Sequence, residues 1–565
     1  MNADSGDLRK MLHTGLQYVI PAFQRYYVWE LKDWQRLWDD ITDLLEPDAP
    51  SEHFMGSLVC VPGEHEPGRV PDYIVIDGQQ RLTTFAILLS AIRDLAIAEG
   101  RDEIAGEISD GFLTQPHRKG LEHYRVVLRT RDRQTLFDLL DGKEPDKATR
   151  IGEAYRFFKK EIQRRMDDVP DTVPALFTTV TSRMPLVMIT LSEENPFNIF
   201  ETLNGTGQDL KQSDMIRNFV FMNTPLNEQD EYDEKKWGPM EDSLAAADGR
   251  PAIPLTDFYR DYLMRDGQYV PKNEVYVAFR REYEQDAPTP SQLASDLTRH
   301  ALLYRSILRS EEAADKDVRK WLSYLSPLRI GTAYPLVLHL LEGHHDGSLS
   351  TDELCRCLRA LQSFALRRSV VGESTRRYGR IFPAAIKELR PGETLASLVE
   401  YLVGEGWPDD KKFLSDFLKF PLYRRERFIT RLVLRALEED MGHKEPVDVE
   451  TLLAQNKLQI EHVMPQSIND DADGEAWKAM LGDDWVTVHE TYLHTIGNLT
   501  LTGYNPELSN HAYPRKKEEF ANSHIELNRF FTDWDVWNLD AILKRGESLA
   551  TTVAKIWPAA SSFGK

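Results

Sequence analysis

Residues 73–85, YIVIDGQQRLTTF, decide how the first half of the chain folds, because the local periodicity changes in the middle of them. Tyr73, Ile74, Val75 and Ile76 are aromatic or β-branched, the composition of a buried strand, and Asp77-Gly78 is turn chemistry. From Gln80 to about Ala98 the apolar residues then recur at helical spacing. Upstream, HFMGSLVCV (53–61) and the strand are separated by the Pro/Gly-rich VPGEHEPGRVPD (61–72), so the two apolar runs read as a hairpin-like pair. YVIPAFQRYYVW (18–29) predicts a strand or extended loop around Pro21, and Trp34, Leu37, Trp38, Ile41, Leu44 and Leu45 form one apolar helix face. This half reads as α+β.

A strand that turns directly into a helix aims free backbone amides and the positive helix end at one point. Phosphate suits that point, and Arg81 adds a forked cation while Asp77 offers an oxygen ligand for Mg²⁺. No GxxxxGK[ST] loop occurs, which excludes a P-loop site.

Beyond about residue 225 the pattern is almost wholly helical, as in AYPLVLHLLEG, TDELCRCLRALQSFALRRSV and RERFITRLVLRALEED. A break at MGHKEPVD precedes two β-like runs, LQIEHVMP and HTIGNLTLTG, and a candidate helix in NPELSNHAYPRKKEEF. The expected architecture is a predominantly helical α+β chain in three parts, residues 1–225, 226–440 and 441–565.

Composition narrows the function class. The 565 residues carry 69 Lys plus Arg against 91 Asp plus Glu, a formal charge of −22, which disfavours indiscriminate adhesion to polyanions. Any nucleic-acid surface is then local. Three scattered cysteines exclude a disulfide framework and a four-thiolate zinc site, and imply a reducing compartment. The first residues, MNADSGDLRK, lack the order of a signal peptide, and FAILLSAIRDLAIA is interrupted by Arg93 and Asp94 well short of a membrane span. A cytoplasmic protein with no membrane partner is expected.

The segment 459–466, QIEHVMPQ, places Glu461 and His462 side by side at a strand end, and Gly497-Asn498-Leu499 opens the second strand. Hydrolysing a phosphodiester needs a base for water, a group that orients that base, and a divalent cation near the leaving oxygen. His462 is the expected base, Asn498 the group that orients it, and Glu461 with Asn505 or Asn510 the hard-oxygen donors for Mg²⁺ or Mn²⁺. The ordered set, EHxxPQ then GNLTL then Asn and Lys, resembles the HNH (ββα-metal) nucleases over roughly 459–520. It departs from many of them in having Glu461 for Asp and Asn for the third His.

Three further stretches carry a second resemblance: IPAFQRYYVW (20–29), the DGQQR run (77–81), and FNIFETLNGTGQDL (197–210) followed by Ser213-Asp214. Their order and spacing are similar to the GmrS half of GmrSD-type restriction proteins, with the HNH segment in the place of GmrD. The resemblance implies a ParB/sulfiredoxin-like N-terminal domain that binds or hydrolyses a nucleoside triphosphate (GTP, UTP or ATP). It also implies a type IV, modification-dependent DNA endonuclease like the SspE-like proteins that sense phosphorothioate DNA. Carried onto this chain, Asp77, Gly78, Gln79, Gln80 and Arg81 handle the triphosphate and its metal, with Glu201, Asn204 and Asp214 nearby and Gln24 and Arg25 bordering the cleft. Tyr26, Tyr27 and Trp29 offer π-faces for an extruded base or a modified group.

Arginine clusters at 355–380, including Arg367 and Arg368, at 118–133, and at Arg424, Arg425, Arg427 and Arg431, are the local basic surfaces where double-stranded DNA could be gripped, with Lys516 beside the nuclease motif. The chain thus reads as an NTP-regulated, metal-dependent endonuclease or nickase of modified DNA in anti-phage defence, its mark phosphorothioate or glucosylated/hydroxymethylated cytosine. Self-association and cognate modification-system proteins are the further partners considered. An NTP-dependent regulator with an inactive HNH site, an RNA-directed HNH nuclease and a general repair nuclease are the alternatives.

Overall fold

In the computed structural model of the chain, residues 2–12, 15–63, 68–191, 211–246, 252–442, 447–503 and 508–564 are described. They form two compact units, 1–245 with 273–298, and 246–272 with 299–565.

The first unit is built on a six-stranded mixed sheet of β1 (Asn2–Gly6), β2 (Gln17–Val19), β3 (Ser57–Pro62), β4 (Asp72–Asp77), β5 (Val126–Val127) and β6 (Leu186–Thr190), in the order β1-β6-β3-β4-β2-β5. β3 and β4 pair antiparallel, as the two apolar runs predict, with an irregularity between Val59 and Cys60. β2 lies parallel to β4, so Gln17–Val19 enters the sheet beside the strand that leads into Asp77. α2 (Gln79–Ala98) packs beside β5, α3 (Arg150–Asp168) packs on α2, and α1 (Leu31–Asp43) packs on α3. α1 buries Trp34, Leu37, Trp38 and Ile41, the face that the spacing predicts. α2 is buried on nearly every side, from Leu82 to Ala96, which matches a sequence apolar all round rather than striped.

Below this core, α4 (Gln212–Met222) and the π-helical turn Asp233–Trp237 bury a charge cluster. Asp233 accepts from Arg129 at 2.8 Å and Arg217 at 2.5 Å, and Arg217 also donates to Glu241 at 2.7 Å. Burial alone would raise the Asp233 carboxyl, yet Arg217 and Arg129 together hold it below the ordinary carboxylate range. The remaining guanidinium hydrogens reach the carbonyls of Ala22 and Gln24, so the cluster ties the 21–29 loop to the helices beneath it.

The second unit is helical up to α5 (Tyr334–His345), α6 (Thr351–Val370) and α7 (Arg427–Met441). It then adds a two-stranded antiparallel sheet, β7 (Gln459–His462) with β8 (Leu499–Thr502), in the register Glu461↔Thr500 and His462↔Leu499. Between the strands run α8 (Ala472–Leu481) and α9 (Trp485–Tyr492), and after them α10 (Tyr513–Ala521) and α11 (Leu539–Ile556). The order strand, strand, helix predicted for the last part is therefore present as β7, β8 and α10. Trp477, Tyr513, Phe520, Phe531 and Trp537 form the apolar core around it.

Candidate active site

β7 carries the two candidate side chains, Glu461 and His462, at its C-terminal end, where the chain leaves the sheet, and both are buried. The Glu461 carboxylate accepts from Lys516 Nζ of α10 at 2.7 Å, and the same ammonium donates to the His462 carbonyl at 3.0 Å. Burial raises the Glu461 carboxyl above its usual range and Lys516 draws it back, while burial lowers the lysine. His462 is pushed down to about 3, first by burial and then by the neighbouring His494, Lys516, His489 and Arg427. At neutral pH its imidazole is uncharged and holds a lone pair, the state that a proton acceptor needs. An anionic phosphate entering beside it would offset those cations and raise its basicity.

The imidazole is held by groups that the motif reading did not include. His462 Nε2 faces His494 Nδ1 at 3.1 Å, the Tyr423 ring meets His462 edge-on at 4.6 Å between centroids, and the same ring stacks on His494. His494 lies only four residues before Asn498 in HTIGN, but a lone histidine at a helix end gives no periodic signal. Tyr423 is farther still, in the stretch read only as a basic cluster.

Asn498 does not orient the His462 ring, which corrects the sequence expectation. Its Oδ1 accepts from Met464 N at 2.7 Å and Trp537 Nε1 at 3.1 Å, and its Nδ2 donates to the carbonyls of Met464 and Leu493. It therefore fixes the backbone just past His462, a peptide-like clamp that only a carboxamide can make with both donors and acceptors. Gly497 is required by close approach, since a Cβ there would lie 2.3 Å from the Ile542 carbonyl. Arg545 of α11, fully buried, donates to the carbonyls of Ile496, Gly497 and Leu499 and completes the clasp. Replacing Asn498 by Ala leaves these buried groups unpaired, and a loss of about 2–4 kcal/mol is expected; a thermal melt of the full chain checks it. An unchanged melting point would show that the clasp carries no weight.

Glu461 and His462 open onto a cleft of about 620 Å³ shared with Gln466, Asn510, Arg427, Arg431, Tyr423 and Phe428. Arg427 and Arg431 are one helical turn apart on α7, and Phe428 between them is 54 % exposed, an unusual place for a large apolar ring. Asn510 also lines this cleft, while Asn505 lies outside the described residues. Among the described residues no three His, Cys, Asp or Glu gather as a metal cage. Mg²⁺ does not need one, since it is commonly held by one or two carboxylates with waters and substrate phosphate. A carboxylate with amide oxygens, Glu461 with Asn510 and Gln466, is a donor set that fits a hard cation.

In the first unit the strand-to-helix junction is as predicted. Gly78 caps α2 at φ 96°, a left-handed conformation that glycine adopts without strain, and a Cβ would also crowd Leu58. Arg81 donates to the Met55 carbonyl at 2.9 Å and lies 3.5 Å from Asp77. Burial raises the Asp214 carboxyl, and Arg25 and Lys211 moderate it. Gln80 is a scaffold residue, because its amide bridges Tyr26 O and Val28 N. Gln24 is buried and donates to Ile76 O, and Gln79 is buried too. The sequence reading has Gln24 bordering the cleft and Gln79 and Gln80 on the triphosphate; the hydrogen bonds of Gln24 and Gln80 make those two supports of the junction. Glu201 and Asn204 lie outside the described residues.

Burial corrects four of the six residues assigned to sensing DNA or its modification, Tyr27, Arg367, Arg368 and Lys516. Tyr27 is a core residue whose hydroxyl meets Thr84 and Trp34, and the Tyr26 ring is covered by the Arg129 guanidinium at 3.6 Å. Trp29 is half-buried against the same core. Arg367 is fully buried and donates to Trp557 O, Pro408 O and Asp410, and Arg368 donates to the carbonyls of Glu405 and Gly406. Their charges bind the ends of neighbouring segments, not phosphates. Lys516, with no exposed side-chain surface, belongs to the Glu461 pair.

Residues 6–221 match the family described as GmrSD restriction endonuclease, N-terminal domain, and residues 407–552 match that described as GmrSD restriction endonucleases, C-terminal domain. No curated protein matches the chain. No helix among the described residues is long and apolar enough to cross a membrane.

Proposed function

The chain belongs to the GmrSD restriction endonuclease family, and from that premise we propose a modification-dependent endonuclease or nickase of double-stranded DNA that serves anti-phage defence in the cytoplasm. The observation that carries the reading is the shared cleft, in which an uncharged His462, the Glu461 carboxylate and the cations Arg427 and Arg431 face one space. We assign residues 441–565 to an HNH-type nuclease part, 226–440 to a connector that lends α7 to the cleft, and 1–225 to a ParB-like nucleotide-binding part.

The chemistry is hydrolysis. His462 takes a proton from water as the water oxygen bonds to phosphorus, one P–O ester bond breaks, and the departing oxygen gains a proton from solvent. Glu461 with Asn505 or Asn510 would hold Mg²⁺ or Mn²⁺, which stabilises negative charge on the leaving oxygen when bound. Arg427 and Arg431 draw the backbone to the imidazole, and Phe428 offers a stacking face beside it. In the nucleotide-binding part, Arg81, the α2 amides and Arg25 meet the triphosphate of GTP, UTP or ATP, and Asp77 and Asp214 face its metal. The nucleotide acts on cleavage through whichever conformation it binds more tightly.

A plasmid panel tests this reading: unmodified, phosphorothioated and hydroxymethyl- or glucosyl-cytosine DNA, with and without Mg²⁺ and each triphosphate. Cleavage confined to one marked substrate, dependent on Mg²⁺ and altered by a nucleotide, is expected. Equal cleavage of unmarked DNA overturns the modification dependence, and NTP turnover with no scission of any substrate points to a regulator instead. Arg427→Ala should weaken DNA binding and reduce the slope of log affinity against log salt by about one, as loss of one phosphate contact does; fluorescence anisotropy across a salt series reads it.

A further inference from the structure

We infer that His494 is a positioning residue that holds His462 in the one tautomer able to act as a base, with hydrogen on Nε2 and the lone pair on Nδ1. This rests on the nuclease reading above and adds to it a residue outside the motif.

The geometry allows only two arrangements. His462 Nε2 and His494 Nδ1 stand 3.1 Å apart, so one of them carries the hydrogen that lies between them. In the first arrangement His462 donates from Nε2, which leaves Nδ1 as its acceptor. That nitrogen has no hydrogen-bond partner among the described residues, and His462 lines the cleft. In the second arrangement His494 donates from Nδ1, His462 must carry its hydrogen on Nδ1, and no lone pair remains for water. The first places both imidazoles in the Nε2–H form that neutral histidine favours in water, and the second places both in the other form. Tyr423 makes the pairing specific, stacking on His494 at an interplanar angle of 20° and meeting His462 at 86°. The His494 carbonyl also accepts from Tyr423 N, which ties both histidines to the turn before α7.

The surroundings favour an accepting His494. The groups that face it are Arg424 from the turn before α7, Arg427 from α7, His489 from α9 and His462 from β7. Burial first, then Arg424, His489 and Arg427, lower its proton affinity below the ordinary imidazole value. It is therefore neutral at neutral pH, and its Nδ1 can accept. As pH falls through that lowered value, Nδ1 gains a proton, becomes a donor, and forces His462 out of the competent tautomer. The acid limb of cleavage would then belong to His494.

Two measurements on the full chain test the assignment. In ¹⁵N-histidine-labelled protein at neutral pH, two-bond ¹H–¹⁵N correlations, assigned with single variants, should show His462 Nδ1 unprotonated and Nε2 protonated. A hydrogen on His462 Nδ1 overturns the inference whether or not a substrate has been found. In Mg²⁺-dependent cleavage of whichever marked plasmid the wild type cuts, phosphorothioated or glucosylated, His494→Ala should lower kcat by about 10- to 100-fold, as loss of a supporting partner does, with KM little changed. His494→Asn, which keeps an acceptor but cannot take a proton, should recover most of that rate and lose the acid limb. Unchanged kcat and pH profile in His494→Ala, beside an inert His462→Ala, sink the His494 role alone. A His462→Ala variant that cuts like wild type sinks the base assignment beneath it. Should His494→Ala fail to fold, the Asn variant and the tautomer spectrum still decide.

Discussion

Replacing His462 by Ala removes strand scission: kcat falls by about 10²–10⁴-fold, the range for losing a positioned general base. The imidazole is buried and uncharged, and among the described residues His494 is its hydrogen-bonded side-chain partner, so its loss leaves no stranded charge. Circular dichroism and the melting transition should remain close to wild type, and DNA binding should persist because Arg427 and Arg431 are untouched. Rate, structure and affinity measured on one preparation separate a lost base from a lost fold. Residual cleavage at the wild-type rate would show that another group activates water and would remove His462 from the chemistry.

The largest effect on stability is expected in the first unit, at Asp233. Asp233→Ala strands Arg129 and Arg217, which are 2 % and 3 % exposed, without their shared carboxylate. Removing one partner of a buried ion pair costs about 3–5 kcal/mol, because the remaining charge is left dehydrated and uncompensated. In a unit of this size that corresponds to a fall in melting temperature of roughly 6–20 °C. Glu241 retains one hydrogen bond to Arg217 and limits the loss for that arginine, but no such second acid is bonded to Arg129 among the described residues. Because Asp233 is held below the ordinary carboxylate range, its contribution is present above the pH at which an unfolded aspartate ionises. It is lost as pH falls through the lower folded value. Calorimetry of wild type and variant at neutral and acid pH should show two curves that converge on acidification. A variant that melts with wild type at neutral pH would contradict this account.

Periodicity made the elements legible and left their burial incomplete. The switch from β to helix at Asp77-Gly78, the apolar face of α1 and the order β7, β8, α10 all follow from spacing alone. β1 does not, since NADSG has little strand propensity and becomes a strand only by pairing with Leu186–Thr190. Charge counting failed in α6. Arg368 lies four residues after Phe364 and seven after Leu361, so the apolar stripe runs through it, and its guanidinium ends on carbonyls. The nuclease motif named Glu461 and His462 because ordered residues carry the chemistry. His494 and Tyr423 come from other elements and meet His462 only through tertiary packing, which no local pattern records.

The clasp on Asn498 and its neighbours is fastened by Trp537 and Arg545, which are synthesised well after the histidine that they support. A nascent chain therefore displays Glu461 and His462 before anything shapes the peptide between them and the second strand. The clasp around the peptide that follows His462 is therefore complete only once translation has passed α11.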